Sequence, residues 1–193
     1  MNAEYKKLDI GCGPNKADPS AVGIDISPAP GVDIVGDALE VLLDMADESV
    51  DEIYSSHFLE HHGDPAAILG QMARVLRTGG RLELRVPHFS DPWYYSDPTH
   101  RHMFGLYTFT YYFRCDRFRR QVPTYCRIDQ IRIESLRLRF GSTRPFYLRH
   151  AAKKCIEVLV NSSAYFQELY EECFSGWIGC SEVHVMARKD GAS

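Results

Sequence analysis

Apolar residues along this chain follow two rhythms, one repeating every second residue and one every three to four, and glycine, proline or aspartate marks most of the changes between them. Leu8-Asp9-Ile10 is a short apolar run breaking into Gly11-Cys12-Gly13-Pro14, which predicts a buried strand entering a glycine turn. Val22-Gly23-Ile24-Asp25-Ile26, Val32-Asp33-Ile34-Val35-Gly36-Asp37 and Asp51 to His57 predict three more strands, and Phe58-Leu59-Glu60-His61-His62 follows the last of them. From Ala67 to Leu76 the spacing of Ile68, Leu69, Met72, Val75 and Leu76 predicts a helix, with Thr78-Gly79-Gly80 as its stop. Arg81 to Val86 alternates as a strand. Further on, Ile131, Ile133, Leu136, Leu138 and Phe140 form one face of another strand, whose period slips around Glu134-Ser135, so a bulge or turn is expected there. His150 to Tyr170 reads as one amphipathic helix with Ile156, Leu159 and Val160 as its buried stripe, and Glu182 to Ala187 as a closing strand.

Short strands separated by crossover connections predict a mostly parallel sheet, and open sheets of this kind bind ligands at the carboxyl ends of their strands. That edge would receive the glycine turn together with Asp25, Asp37 and His57. Gly11 and Gly13 lack a Cβ, so the backbone there can adopt positive φ and approach a ligand closely. A dinucleotide turn calls for a third glycine where this chain has Lys16. The turn therefore favours a nucleoside without a pyrophosphate over NAD.

Five segments in order, Leu8–Asn15, Gly23–Ser27, Gly36–Ala38, Asp51–His61 and Arg74–Pro87, make the first half of the chain resemble a class I S-adenosylmethionine-dependent methyltransferase. The compact spacing is similar to the small bacterial type associated with glycan or polysaccharide synthesis. The resemblance implies a Rossmann-like α/β fold, a seven-stranded, mostly parallel sheet with helices on both faces and its last strand antiparallel. It implies S-adenosylmethionine as cofactor and assigns roles by position. Gly11, Cys12 and Gly13 would line the methionine portion, with Asp9 beside them. Asp25 would accept from the ribose hydroxyls, Ile26 would pack on the adenine, and Asp37 with the Ala38 amide would read the adenine edge. Ser56 and His57 would sit beside the transferable methyl. One domain is expected over residues 1–193: a cofactor half at 1–87, an acceptor region at 88–126, and C-terminal strands with a helical insertion at 127–193.

The 45% apolar and 25% charged composition is that of an ordinary soluble domain. No apolar run is long enough to cross a bilayer, and Met1–Lys7 is too polar for a secretory signal. Six cysteines without CxxC pairs read as thiols in a reducing cytoplasm.

Two biased regions bear on the acceptor. Twelve of the 23 aromatic residues fall within 89–125, from Phe89 to Tyr125, and surround Ser96-Asp97-Pro98-Thr99-His100-Arg101-His102. In a methyltransferase plan this connection would cover the active site, with Trp93, Tyr94 and Tyr95 as an aromatic wall. His100 is the first candidate general base, Asp97 its orienting partner, and His57 and His102 the next candidates. His88, Asp91, His100 and His102 could offer metal ligands, but their spacing matches no zinc signature, so no metal is expected. Between Arg114 and Arg149 ten arginines face three acids, which suits either the solvated face of an edge strand or an anionic acceptor.

The reading is thus O-methylation of a small or glycan-like, anionic acceptor. An RNA or DNA methyltransferase and a non-catalytic S-adenosylmethionine-binding protein are the rivals. Nucleic acid is disfavoured by the net charge of −4. The C-terminal insertion could serve a homodimer or the acceptor site.

Overall fold

The structure, a computed structural model, describes residues 5–123 and 126–191; Tyr125, counted above among the lid aromatics, lies outside them. Eight strands, β1 (Tyr5–Ile10), β2 (Val22–Asp25), β3 (Ile34–Val35), β4 (Val50–Ser56), β5 (Leu76–Pro87), β6 (Phe113–Arg114), β7 (Ile128–Arg139) and β8 (Glu182–Lys189), form one sheet in the order β3-β2-β1-β4-β5-β8-β7-β6. β1 pairs in parallel with both β2 and β4, and β4 with β5, whereas β8 is antiparallel to β5 and β7. This is the expected Rossmann-like sheet, with the two-residue β6 added at one edge as an eighth strand.

Pleating divides the sheet chemically. Leu8, Ile10, Ile24, Ile53, Leu82, Leu84, Val86, Val183, Val185, Leu136 and Leu138 share one face by register, and all are buried. Helices α1 (Ala38–Leu43) and α2 (Pro65–Val75) add Leu42, Ile68, Leu69 and Met72 to the same core. The opposite face carries Lys7, Glu52, Tyr54, Arg81, Glu83, Arg85, His184 and Arg188. The connections 11–21 and 26–33 contain turns and no helix, so helical cover is concentrated on the apolar face rather than shared by both. Ion pairs within the polar face, Lys7 to Glu52, Arg85 to Glu83 and Arg188 to Glu134, suit it to water.

Local chemistry sets the boundaries. Asp64 caps α2 by accepting from the Ala67 amide at 3.0 Å, and Pro65 occupies the first turn, where its missing N–H costs nothing. α2 ends not at the glycines but at Leu76, which turns extended and pairs with Val50. Arg77 to Gly80 then bulge out before Arg81 pairs with Glu52, with Gly79 at φ +79°.

β7 shows the expected irregularity, a register shift between Ile133 and Ser135 that leaves Glu134 as the extra residue. It is not the edge strand, since β6 pairs with its first half. Its second half is closed by side chains of the C-terminal insertion. This insertion is broken rather than continuous: α3 (Tyr147–Val160), α4 (Ala164–Leu169) and a π-turn at Tyr170–Phe174. Of the expected stripe, Val160 is buried and Ile156 half-buried, whereas Leu159 is exposed. The break lets Asn161 accept from the Leu138 amide at 2.9 Å and donate to the Leu138 carbonyl at 2.7 Å. Glu157 accepts from the Phe140 amide and Gln167 donates to the Leu136 carbonyl. Strand edges left open invite foreign pairing, and these polar side chains occupy this one.

Replacing Asn161 with alanine strips both Leu138 backbone groups of their partners, so we expect a loss of about 2–3 kcal/mol in urea denaturation. A loss below about 0.5 kcal/mol would show that Asn161 does not close the edge.

Candidate active site

Because β1 has β2 on one side and β4 on the other, its carboxyl end is the point at which the crossovers diverge, leaving a crevice. The glycine turn fills this crevice. Gly11 and Gly13 have φ of +69° and +53°, and the amides of Gly11 and Cys12 both donate to the Ile24 carbonyl. A Cβ on Gly11 would stand 2.6 Å from the Phe58 ring, so the residue is fixed as glycine by both torsion and space.

Asp25 joins the turn to the end of β2. One of its carboxylate oxygens accepts from Gly13 N and the other from Ser27 N, both at 2.9 Å. Each oxygen keeps a lone pair for a further donor such as a ribose hydroxyl. Ile26 follows with 72% of its surface exposed, an apolar platform in an open cleft. Asp37 caps α1, its Oδ1 accepting from Leu39 N and Glu40 N, while Oδ2 has no hydrogen-bond partner among the described residues. Asp37 is therefore a structural cap with one oxygen to spare, and Ala38 is the first residue of the helix.

Asp9 has a different role. Its side chain is buried and accepts from Ala17 N at 2.7 Å, which ties down the loop that replaces a first crossover helix. Burial raises its pKa. Cys12 packs near the Gly31 carbonyl, and burial pushes its thiol up to about 11, so it is no nucleophile. A groove of about 280 Å³ opens on the polar face beside Asp9, lined by Lys7, Glu52, Arg81 and Glu83, away from the carboxyl edge.

The loop after β4 carries the other half of the site. His57, at φ +52°, lies between two carboxylates: Nε2 donates to Glu182 at 3.1 Å, and Nδ1 is 3.3 Å from Glu60. Glu182 first and Glu60 second raise the imidazole to about 10 against the cost of burial. At neutral pH His57 is a cation, which removes it from the list of bases. Glu60 is fully buried, and beyond this 3.3 Å ionic contact neither of its oxygens has a hydrogen-bond partner among the described residues.

Residues 88–103 fold onto this loop. Arg101 N donates to the Glu60 carbonyl at 2.8 Å, and the rings of His61 and His100 lie 4.8 Å apart. His100 is oriented by the Tyr94 carbonyl, to which Nδ1 donates at 2.9 Å, and packs on the Tyr94 ring. Asp97, the expected orienting partner, stands 3.8 Å from Nε2, too far for a hydrogen bond. It accepts instead from Thr99 O–H and N–H, and these bonds lower its pKa. His102 has a buried Nε2 without a partner. His88 is structural: it accepts from Ser90 N and donates to Glu171. The aromatic cluster divides likewise. Phe104, Phe109, Phe113 and Phe118 belong to the core and Tyr94 supports His100, while Trp93 and Tyr95 are exposed.

The structure thus brings Gly11, Cys12, Gly13, Asp25, Ile26, Asp37, Ser56 and His57 to adjacent strand ends and lays His100 over the next loop. Sequence reasoning missed Glu60, His61, Thr99 and Glu182 as members. The available signal was the run of histidines at 57, 61 and 62 answering those at 100 and 102. The arginine-rich segment does not form one patch. Arg114 and Arg132 bind Asp190, Arg127 binds Asp129 and Arg139 binds Glu157.

Residues 8–84 match the family profile of a methyltransferase domain. No curated protein sequence matches the chain. Among solved structures, a SAM-dependent methyltransferase from Archaeoglobus fulgidus has TM-score 0.59 at 18% identity, covering 96% of this chain and 86% of that one. A Haemonchus contortus phosphoethanolamine N-methyltransferase in complex with S-adenosylhomocysteine has TM-score 0.55 at 14% identity, covering all of this chain and 50% of that one. The [4+2]-cyclase SpnF has TM-score 0.51 at 16% identity, covering all of this chain and 78% of that one. The fold is that of the S-adenosylmethionine-dependent methyltransferases, and no helix among the described residues is long and apolar enough to cross a membrane.

Two outcomes test the site. In a histidine NMR titration, His57 should remain protonated through pH 8 and lose its proton near pH 10; a midpoint near 6.5 would contradict the double carboxylate contact. Gly11→Ala should lower stability by about 1–3 kcal/mol, measured by urea denaturation, because the torsion and Phe58 both oppose a side chain.

Proposed function

Taking the methyltransferase domain over residues 8–84 as the premise, we propose that this chain transfers the methyl group of S-adenosylmethionine to an oxygen of a small or glycan-like acceptor. Asp25 receives the ribose hydroxyls through its spare lone pairs, Ile26 carries the adenine, and Asp37 Oδ2 accepts the adenine amine. Gly11, Cys12 and Gly13 line the methionine portion, with Ser56 and His57 beside the methyl.

The observation that carries the choice of oxygen is His100. Its Nδ1–H is committed to the Tyr94 carbonyl, so in the neutral ring Nε2 is a bare acceptor. In the transfer, the acceptor oxygen bonds to the methyl carbon as the carbon–sulfur bond breaks with its electrons to sulfur. The hydroxyl proton goes to His100 Nε2. His57, held protonated between Glu182 and Glu60, cannot take that proton. Collinear placement contributes more than base strength, because the sulfonium methyl is already activated.

An anionic group on the acceptor has weaker support than a neutral hydroxyl, since Arg114, Arg127, Arg132 and Arg139 are engaged by acids of the protein. The six cysteines are free thiols, in keeping with a cytoplasmic setting. We treat the chain as one domain, and we place a homodimer contact on the exposed apolar residues Leu148, Val158, Leu159 and Trp177 of the C-terminal insertion.

Calorimetry should detect S-adenosylmethionine and S-adenosylhomocysteine, and Asp25→Ala should weaken both by about tenfold or more, as loss of charge-assisted hydrogen bonds requires. His100→Ala should bind cofactor within about twofold of wild type yet lose about 100-fold or more in turnover against hydroxylated glycans. No heat with either nucleoside, using folded protein, would end this reading.

A further inference from the structure

The loop after β4 and the lid bring three candidate metal ligands, Glu60, His61 and His100, together. Glu60 is completely buried; the His57 imidazolium stands 3.3 Å from its Oε1, yet neither carboxylate oxygen has a hydrogen-bond partner among the described residues. His61 Nδ1 lies 2.9 Å from Thr99 Oγ1, whose own hydrogen goes to Asp97 Oδ1 at 2.6 Å. Thr99 is therefore the acceptor, Nδ1 carries the proton, and His61 Nε2 presents a bare lone pair 3.9 Å from Glu60 Oε1. The same logic holds for His100, whose Nδ1–H donates to the Tyr94 carbonyl and whose Nε2 has no hydrogen-bond donor. Another acceptor, Asp97 Oδ2, stands 3.8 Å from that Nε2. One ligand atom each from Glu60, His61 and His100 lies within 4.8 Å of the others.

We propose that Glu60, His61 and His100 bind one divalent transition-metal cation of the Zn²⁺ type. Backbone carbonyls and hydroxyls that fix the distal imidazole nitrogen are the usual outer partners of metal-ligating histidines. Here the Tyr94 carbonyl and Thr99 Oγ1 serve that purpose. Two imidazoles and a carboxylate suit Zn²⁺ and its first-row neighbours, whereas Mg²⁺ and Ca²⁺ prefer all-oxygen sites. Bonds of about 2.0–2.2 Å place tetrahedral ligands about 3.4 Å apart, so the three side chains close by about an ångström on binding.

Three protein ligands leave the cation at least one open position. The cation would join the β4–α2 loop to the lid and present that position to an acceptor hydroxyl or a water. Metal binding stands independently of the methyl-transfer reading; only the use of the open position rests on it. If bound, the cation would be held by Glu60, His61 and His100 and would supply Lewis-acid activation of a hydroxyl or water, His100 then serving as ligand in place of the base role it has without metal.

The test uses the purified chain, freed of metal with EDTA and examined without S-adenosylmethionine or acceptor. Calorimetric titration with ZnCl₂ should show one tight equivalent, and MgCl₂ none. His61→Ala and His100→Ala should each weaken Zn²⁺ at least tenfold while retaining the wild-type circular dichroism. Zn²⁺ should raise the wild-type Tm and leave that of either variant nearly unchanged. Because the chain has six free cysteines, Co²⁺ absorption supplies the control: d–d bands without a thiolate charge-transfer band fit the assigned ligands. Failure of the wild type to take up Zn²⁺, uptake undiminished in both variants, or a thiolate band would overturn the proposal. The calorimetric cofactor titration is separate, so either result can fail without the other.

Discussion

Parallel pairing of β1 with β2 on one side and β4 on the other is the constraint from which the rest of this molecule follows. Parallel strands send all their carboxyl ends to one edge, so the turn after β1, the acids after β2 and β3, and the loop after β4 become neighbours despite their separation in the chain. The Gly13 amide on Asp25 then locks the turn to β2, at a torsion that glycine adopts without strain. With both carboxylate oxygens holding backbone amides, the Asp25 side chain is oriented by the protein's own backbone.

Electrostatics organises the acceptor side. A fully buried carboxylate is costly unless a cation compensates it. Glu60 has the His57 imidazolium on one side and two lone-pair-bearing histidines on the other. Together with the larger effect of Glu182, the first contact makes His57 strongly basic and removes it from proton abstraction. The second leaves a site whose polar atoms are not yet satisfied by the protein. The lid is held over this site by backbone and side-chain bonds from Tyr94, Thr99 and Arg101, while its phenylalanines belong to the core. One segment thus supplies core phenylalanines and the residues packed on the Glu60 loop.

The fold carries less functional information than the site does. A methyltransferase and a [4+2]-cyclase both superpose on this chain at low identity, so chemistry must be argued from residues rather than from architecture. What distinguishes this chain is its economy. It has turns in place of the helices after β1 and β2, and it leaves the corresponding sheet face to self-paired charges. Asp9 illustrates the consequence: a position expected to serve the cofactor instead pins the loop that stands where a helix would be.

Period-two apolar runs, the glycine turn and aspartates at strand ends are local signals, and they made the parallel sheet, the gathering of turn and aspartates at one sheet edge and even the bulge at Glu134 readable from the sequence. The identity of the residue facing each charge was not readable. That His57 meets Glu182, 125 positions away, or that Asp37 spends one oxygen on a helix cap, depends on tertiary placement. The eighth strand, the broken C-terminal helix and the division of the aromatic cluster between core and cleft were decided in the same way. The physical reason is range. Backbone geometry and hydrophobic periodicity act between neighbours in the chain, whereas burial, protonation and lone-pair direction are set by atoms that only folding brings within a few ångströms.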